Sequence, residues 1–459
     1  MGCTRNRSKT LDEGLFVFGL VIALVVPSTV WATFASQFAF STGEGYSDNI
    51  FFSQTNKNHD FITIFAPTLT FLYAPEGQIT PTLTANITPS YQIYARHSDL
   101  NNFDNVSANA AYTYQYSPRL NFNLYDTLQR QGQTRLGGLT GFGQFPTGPT
   151  SPPPVGGVIA PPSSQNLKDL TSGGTQLTNY VGFQGSYLYR PDIRFTGWYT
   201  NQFVNFTQAG GTDVFNDVGF RGIYNWRQDH NLHAGLTISI SNARNGDSGV
   251  IYNFDFGDDY FSNYTIQLTP TLSLAASTGL SFNTSNSGPH VAQNTSVIIT
   301  KLWETAQLNG GVTKGLTPSY GISGISDTTT LFTNVNWRLT EKLSTGASVN
   351  FSLYDTKDVN FKTFQAGFGF QYLFTSWLSS GIYYSFNWID AGAGANSTGG
   401  LIQQGITRAN NVFAFLTTRF DVWPNTGLAR SISSPTLSPT PTLIPPFPMQ
   451  APQTPKLIP

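Results

Sequence analysis

A short element recurs along the chain: an apolar or aromatic residue, a hydroxyl residue, a turn former, one variable residue, then a strand alternating apolar with small polar side chains. It reads Tyr116-Ser117-Pro118-Arg119-Leu120, Leu268-Thr269-Pro270-Thr271-Leu272, Leu339-Thr340-Glu341-Lys342-Leu343 and Phe374-Thr375-Ser376-Trp377-Leu378. After the third copy, Leu343, Thr345, Ala347, Val349, Phe351 and Leu353 share one face. Lys342, Ser344, Gly346, Ser348, Asn350, Ser352 and Tyr354 share the other. Strand side chains point alternately to opposite sides, so this ribbon is greasy on one face and wet on the other. A wall that separates lipid from an aqueous lumen needs that pattern.

Only 11% of residues are charged, against about 25% in ordinary soluble domains. Beyond the N-terminus no segment approaches the roughly 20 apolar residues of a membrane helix. Gly (44), Tyr (21) and Phe (36) favour strands and turns over helices. A net charge of −1 gives no footprint for nucleic acid. The chain opens with Arg5, Arg7 and Lys9, runs apolar over 15–26 and reaches Val30-Trp31-Ala32. Residues 1–32 therefore read as a cleaved secretion signal, in which Asp12 and Glu13 are unusual. Cys3, the single cysteine, would leave with it, so no disulfide or thiol chemistry is expected.

Alternation and turn signals over 36–420 give about 18 strands, and predict an all-β fold: a transmembrane, antiparallel, up-and-down β-barrel occupying 33–423. Short connections are expected near 75–78, 117–118, 190–192, 227–230, 269–270, 304–305, 340–341 and 375–376. Longer ones are expected at 47–58, 95–102, 131–178, 207–212, 244–255, 285–291, 316–326, 356–359 and 390–407. Strict alternation of short and long is the asymmetry of bacterial outer-membrane barrels, with tight turns in the periplasm. Closure is favoured over an open sheet because an unpaired backbone group in lipid costs several kcal/mol. Tyr112, Tyr114 and Tyr116, and Tyr384, Phe386 and Trp388, fit interfacial girdles. The Gly/Pro-rich stretch 131–178 reads as a surface loop or a segment folded into the lumen, and is expected to narrow or cap the channel. The Pro-rich 424–459 reads as an extended periplasmic tail, either without a role or tethering peptidoglycan or a partner protein.

Lumen-side positions are mostly small and neutral, among them Asn105, Ser107, Asn109, Thr113 and Gln115. Such a wall favours water and neutral polar solutes, and no ring of one charge sign is visible. Arg119, Arg194, Arg221 and Arg338 have lumen parity and read as wall packing or as a mild anion or sugar patch. Tyr125, Tyr354 and Tyr383 are candidates for stacking on sugar rings, or for filling barrel volume. The acidic group Asp255, Asp258 and Asp259, near Asp247, reads as a solvated outer loop, with a weak Ca²⁺ or Mg²⁺ bridge to lipopolysaccharide as the lesser alternative. His230 and His233 flank a predicted turn and make a poor ligand pair. The chain has no Gly-x-Ser-x-Gly, His-Glu-x-x-His or phosphate-loop signature and reads as a non-enzyme without cofactor.

The segment Gly43-Glu44-Gly45-Tyr46-Ser47-Asp48-Asn49-Ile50-Phe51 resembles the opening strand of the β-barrel porin 2 family, in which a Tyr-x-Asp-Asn-aliphatic element precedes a similar hairpin grammar. Some members of that family accompany exopolysaccharide systems. The resemblance covers about 36–420 and carries no catalytic residues; the long insertion and the tail depart from it. It implies an outer-membrane porin-like channel for small neutral polar solutes, with surface polysaccharide as a further associate. A filled structural or adhesive barrel is the main alternative, and an outer-membrane hydrolase the least favoured.

Overall fold

The computed structural model describes residues 32–423, apart from 52, 56, 76–81, 132–175, 207–211, 228–229, 243–247, 262–271, 286–287, 319–324, 357–359 and 393–404. The expected signal except Ala32, most of the 131–178 insertion, the 269–270 turn and the 424–459 tail lie outside the described residues.

Eighteen strands follow one another: β1 (Ala32–Ser47), β2 (Asp60–Pro75), β3 (Thr82–Tyr94), β4 (Asn102–Ser117), β5 (Leu120–Gln131), β6 (Gln176–Arg190), β7 (Ile193–Phe206), β8 (Thr212–Arg227) and β9 (His230–Asn242). The second half is β10 (Ser248–Phe261), β11 (Leu272–Ser285), β12 (Gly288–Leu302), β13 (Ala306–Pro318), β14 (Ile325–Arg338), β15 (Leu343–Asp355), β16 (Asn360–Thr375), β17 (Leu378–Ala391) and β18 (Gly405–Trp423). The one helical element among the described residues is a 3-10 turn at Ser98–Leu100. Each strand pairs antiparallel with its sequence neighbours, and β1 pairs with β18 from Gln37↔Asp421 to Ser47↔Asn411. The sheet is thus a closed, up-and-down barrel without an edge, so every strand finds its backbone partners inside the wall.

The recurring element is explained by its hydrogen bonds. Thr340 Oγ1 accepts from the backbone N–H groups of Lys342 (3.2 Å) and Leu343 (3.0 Å), and Thr375 Oγ1 accepts from that of Leu378 (3.1 Å). Ser117 Oγ accepts from Arg119 N–H at 3.3 Å. The hydroxyl therefore pins a two- to four-residue turn that would otherwise leave donors unpaired. The last turn residue then continues the ladder to the following hairpin: Arg119, Lys342 and Trp377 carbonyls accept from Leu188, Leu373 and Arg419 N–H groups at 2.7–2.8 Å. Thr340→Ala is expected to cost about 1 kcal/mol, read as a lower urea midpoint of the barrel in detergent.

Exposure fixes which face is which. Tyr116 and Phe220 are 63% and 56% exposed, whereas Thr196 and Ser281, on the opposite parity of their strands, are wholly buried against neighbouring inner side chains. The outer face of β17 is apolar from Leu378 through Ile382, Tyr384 and Phe386 to Trp388, interrupted by Ser380, whose hydroxyl donates to the Phe415 carbonyl, before Asp390 ends it. At strand rise and barrel tilt that is about 25 Å, the height of a bilayer's apolar band. At the short-turn end Tyr112, Tyr114 and Tyr116 form an outer ladder with ring centroids 6.4 Å apart. Among the described residues no helix is long and apolar enough to cross a membrane.

Three expectations about connections change. Residues 248–255, placed in a loop, belong to β10, because Asp255 has an inner-face partner that makes a strand position tenable. Residues 285–291 are not a long loop: β11 runs to Ser285 and β12 starts at Gly288, leaving two residues between them. Short and long connections therefore do not alternate strictly. The ends of the 131–178 segment are also strand, since Gln131 pairs with Gln176.

Beyond the last β1–β18 ladder pair, side chains extend the seam. Asp48 N–H donates to the Asn410 carbonyl (3.1 Å), while its carboxylate accepts from Asn410 N–H and Nδ2, both at 2.7 Å. Bonds to a charged acceptor contribute about 1.5–3 kcal/mol. Asp48→Ala is expected to lower the barrel's unfolding temperature in detergent, seen as earlier loss of the heat-modifiable folded band, with Asp48→Asn retaining most of it.

Candidate functional site: the inner wall

The inner face of β4 presents Asn105, Ser107, Asn109, Thr113 and Gln115, which by register share the side of Asn86, whose Oδ1 accepts from Asn109 Nδ2 at 3.0 Å. Asn105 is buried among its neighbours, while Thr113 and Gln115, nearer the short-turn end, stand exposed to the lumen. Small amides and hydroxyls hold the wall thin and hydrogen-bonding, as the cross-strand pairs Ser41–Thr417 and Thr330–Ser352 also illustrate.

The four arginines are not gathered into one patch. Arg119 is exposed in the β4–β5 turn, and Arg338 is exposed at the end of β14, on a different part of the barrel. Arg194 and Arg221 do approach: Arg194 pairs with Ile223 and Arg221 with Thr196, which makes the two arginines diagonal neighbours on the inner face of β7 and β8. Arg221 is committed to the wall, since its Nη2 lies 2.7 Å from Asp255 Oδ2, with both side chains nearly buried. Its guanidinium also sits 5.9 Å from the Trp198 ring centroid. His233 Nε2 is 3.6 Å from the same carboxylate oxygen. Nearby, Asp217 accepts from Thr200 Oγ1 at 3.1 Å. Arg221 is thus compensated within the wall by Asp255.

The acidic group is divided between faces. Asp255 points inward, whereas Asp258 lies on the outer face, where it meets His230 Nδ1 at 2.5 Å near the β8–β9 turn. His230 and His233 stand on opposite faces of β9, and no group of three or more metal-ligating side chains occurs among the described residues.

Of the three tyrosines, Tyr354 is 3% exposed and stacked on Phe361 with centroids 4.4 Å apart, so its ring meets protein on the face a sugar would need. Tyr125 stacks on Tyr180 at 5.6 Å and lies over Gly182 of the next strand. Tyr383 lies over Gly367 in the same way. This is a wall-wide device that the sequence reading passed over. Trp198 over Gly219 and Phe413 over Gly45 repeat it, and at each of these glycines an added Cβ would overlap the ring. Aromatic side chains packed against glycine backbone keep their bulk close to the wall.

No family model matches the chain, and no curated protein does. Solved structures similar to it include the outer-membrane protein OpdK of Pseudomonas aeruginosa (10% identity, TM-score 0.41, 84% of this chain and 99% of that one). Others are OccK2 (OpdF) of the same organism (10%, TM-score 0.42, 85% and 98%) and an anion-selective porin from Comamonas acidovorans (11%, TM-score 0.35, 85% and 100%). At this distance they add no argument, and the fold rests on the closed ladder described above.

Proposed function

We propose that this chain is a porin-like channel of the bacterial outer membrane, exported by its N-terminal signal and passing small, neutral, polar solutes by diffusion. One observation supports the reading above the rest: a closed 18-stranded cylinder whose outer face is apolar over about 25 Å and whose inner face is lined by amides, hydroxyls and internally compensated charges. A cylinder of this strand number is wide enough for an aqueous path. The reading assigns no catalytic step. It includes contact with lipid and lipopolysaccharide outside, a link to surface polysaccharide, and a periplasmic partner for the 424–459 tail.

Liposome swelling tests it. Uptake of neutral sugars is expected to fall with solute size and to depend weakly on salt, because the wall carries little net charge. A second reading, a filled structural or adhesive barrel, draws on the apolar cluster of Ile50, Ile62, Ile64, Tyr94, Leu100 and Phe413 on the inner side of one mouth. Liposomes that take up no sugar at all would favour that barrel.

A further inference from the structure

The connection between β1 and β2 folds inward instead of rising from the rim. Ile50, wholly buried, shares one apolar cluster with the inner-face residues Ile62, Ile64, Tyr94 and Phe413 and with Leu100 of the 3-10 turn. An apolar cluster on a wet wall persists only when something roofs it, and here the roof is this connection. Its position is set by polar anchors as well as burial. Asn49 Nδ2 donates to the Ser53 and Arg408 carbonyls at 2.8 and 2.9 Å, and its Oδ1 accepts from Ser53 N–H at 2.9 Å. At the other end Asp60, wholly buried, accepts from the N–H groups of Phe61, Arg96 and His97, and lies 2.8 Å from His97 Nδ1. The Phe51 ring meets His97 edge-on at 5.6 Å, tying this connection to the 95–101 connection. The Tyr-x-Asp-Asn-aliphatic element is therefore a fastener: Asp48 clasps the β1–β18 seam, Asn49 turns the chain inward, and Ile50 seats it.

What the shoulder turns to solvent is mostly polar: Gln54, Thr55, Lys57, Asn58 and His59 are exposed, beside the partly exposed Phe51. We infer that this anchored shoulder is the size filter of the mouth, its rim of amide and hydroxyl groups with the Lys57 ammonium touching small neutral solutes as they enter and stopping larger oligosaccharides. The inference rests on the channel reading.

The test places Thr55→Cys in a Cys3→Ser background, reconstitutes the folded protein in planar bilayers and liposomes, and labels it with maleimides of increasing size. Labelling is expected to lower single-channel conductance stepwise, roughly halving it with the largest reagent, and to abolish uptake of the larger sugars first. Ile50→Asp, checked for folding by its heat-modifiable band, is expected to raise conductance and admit larger sugars. Full labelling with conductance and sugar cut-off unchanged would overturn the filter while leaving the channel intact. If neither the unlabelled protein nor the folded Ile50→Asp variant conducts, the channel reading falls and takes the filter with it. A silent parent that conducts once Ile50 is replaced would show the shoulder to be a plug, which also overturns a filter.

Discussion

Truncating Phe413 to alanine lowers the unfolding free energy of the barrel by about 3–5 kcal/mol. The ring is 2% exposed, lies over Gly45, and packs with Ile50, Ile62, Ile64, Tyr94 and Leu100. Removing it opens a void that the β ladder cannot collapse to fill, because the backbone on both sides is held by the β1–β18 and β17–β18 registers. Phe256→Ala makes the contrast. Its ring points outward at 59% exposure, so acyl chains or detergent flow into the vacated space and the loss is far smaller. Equilibrium urea unfolding in micelles measures both; equal losses would show that Phe413 is not part of a sealed inner cluster.

Gly219→Ala produces the second large effect, on the bore of the barrel. Trp198 is nearly buried because it lies against Gly219, and a methyl group there overlaps the indole. The ring must swing toward the lumen, losing its contact with the Arg221 guanidinium, at an overpacking cost of about 1–3 kcal/mol. Single-channel conductance is expected to fall and the tryptophan emission to shift as the ring meets water. Adding Trp198→Ala to the same chain is expected to restore the conductance, since the obstruction is then gone. A Gly219→Ala channel of unchanged conductance would show that the glycine niche does not set the bore.

Much of this architecture was legible because period two is a local property. The faces of β15, the outer tyrosines of β4 and the closure of an even number of strands follow from counting residues between turn signals, and tertiary context need not be known. The acidic run of β10 misled for a physical reason. Asp255, Asp258 and Asp259 read as loop from composition alone, and the partners of Asp255 and Asp258, Arg221 and His230, come from other strands. The 285–291 segment misled because Ser, Asn, Gly and Pro at a tight two-residue connection look like a longer loop. The inward shoulder did leave a trace. The first residues of β2, Phe61, Ile62, Ile64 and Phe65, are apolar on both parities, the mark of a strand covered on both faces. What sequence could not supply is which segment does the covering, because Ile50 and Leu100 reach Phe413 only through barrel closure. The glycine niches are equally non-local, each pairing a ring with a glycine on the neighbouring strand.

A cysteine scan of β15 from Leu343 to Phe351, with a spin label at each position in lipid, tests the central claim most directly. Accessibility to oxygen dissolved in the bilayer should peak at Leu343, Thr345, Ala347, Val349 and Phe351, and accessibility to a water-soluble paramagnet at Ser344, Gly346, Ser348 and Asn350, in strict alternation. Equal access of the water-soluble reagent to both sets, or the absence of any period-two pattern, would contradict a closed wall with lipid on one side and water on the other.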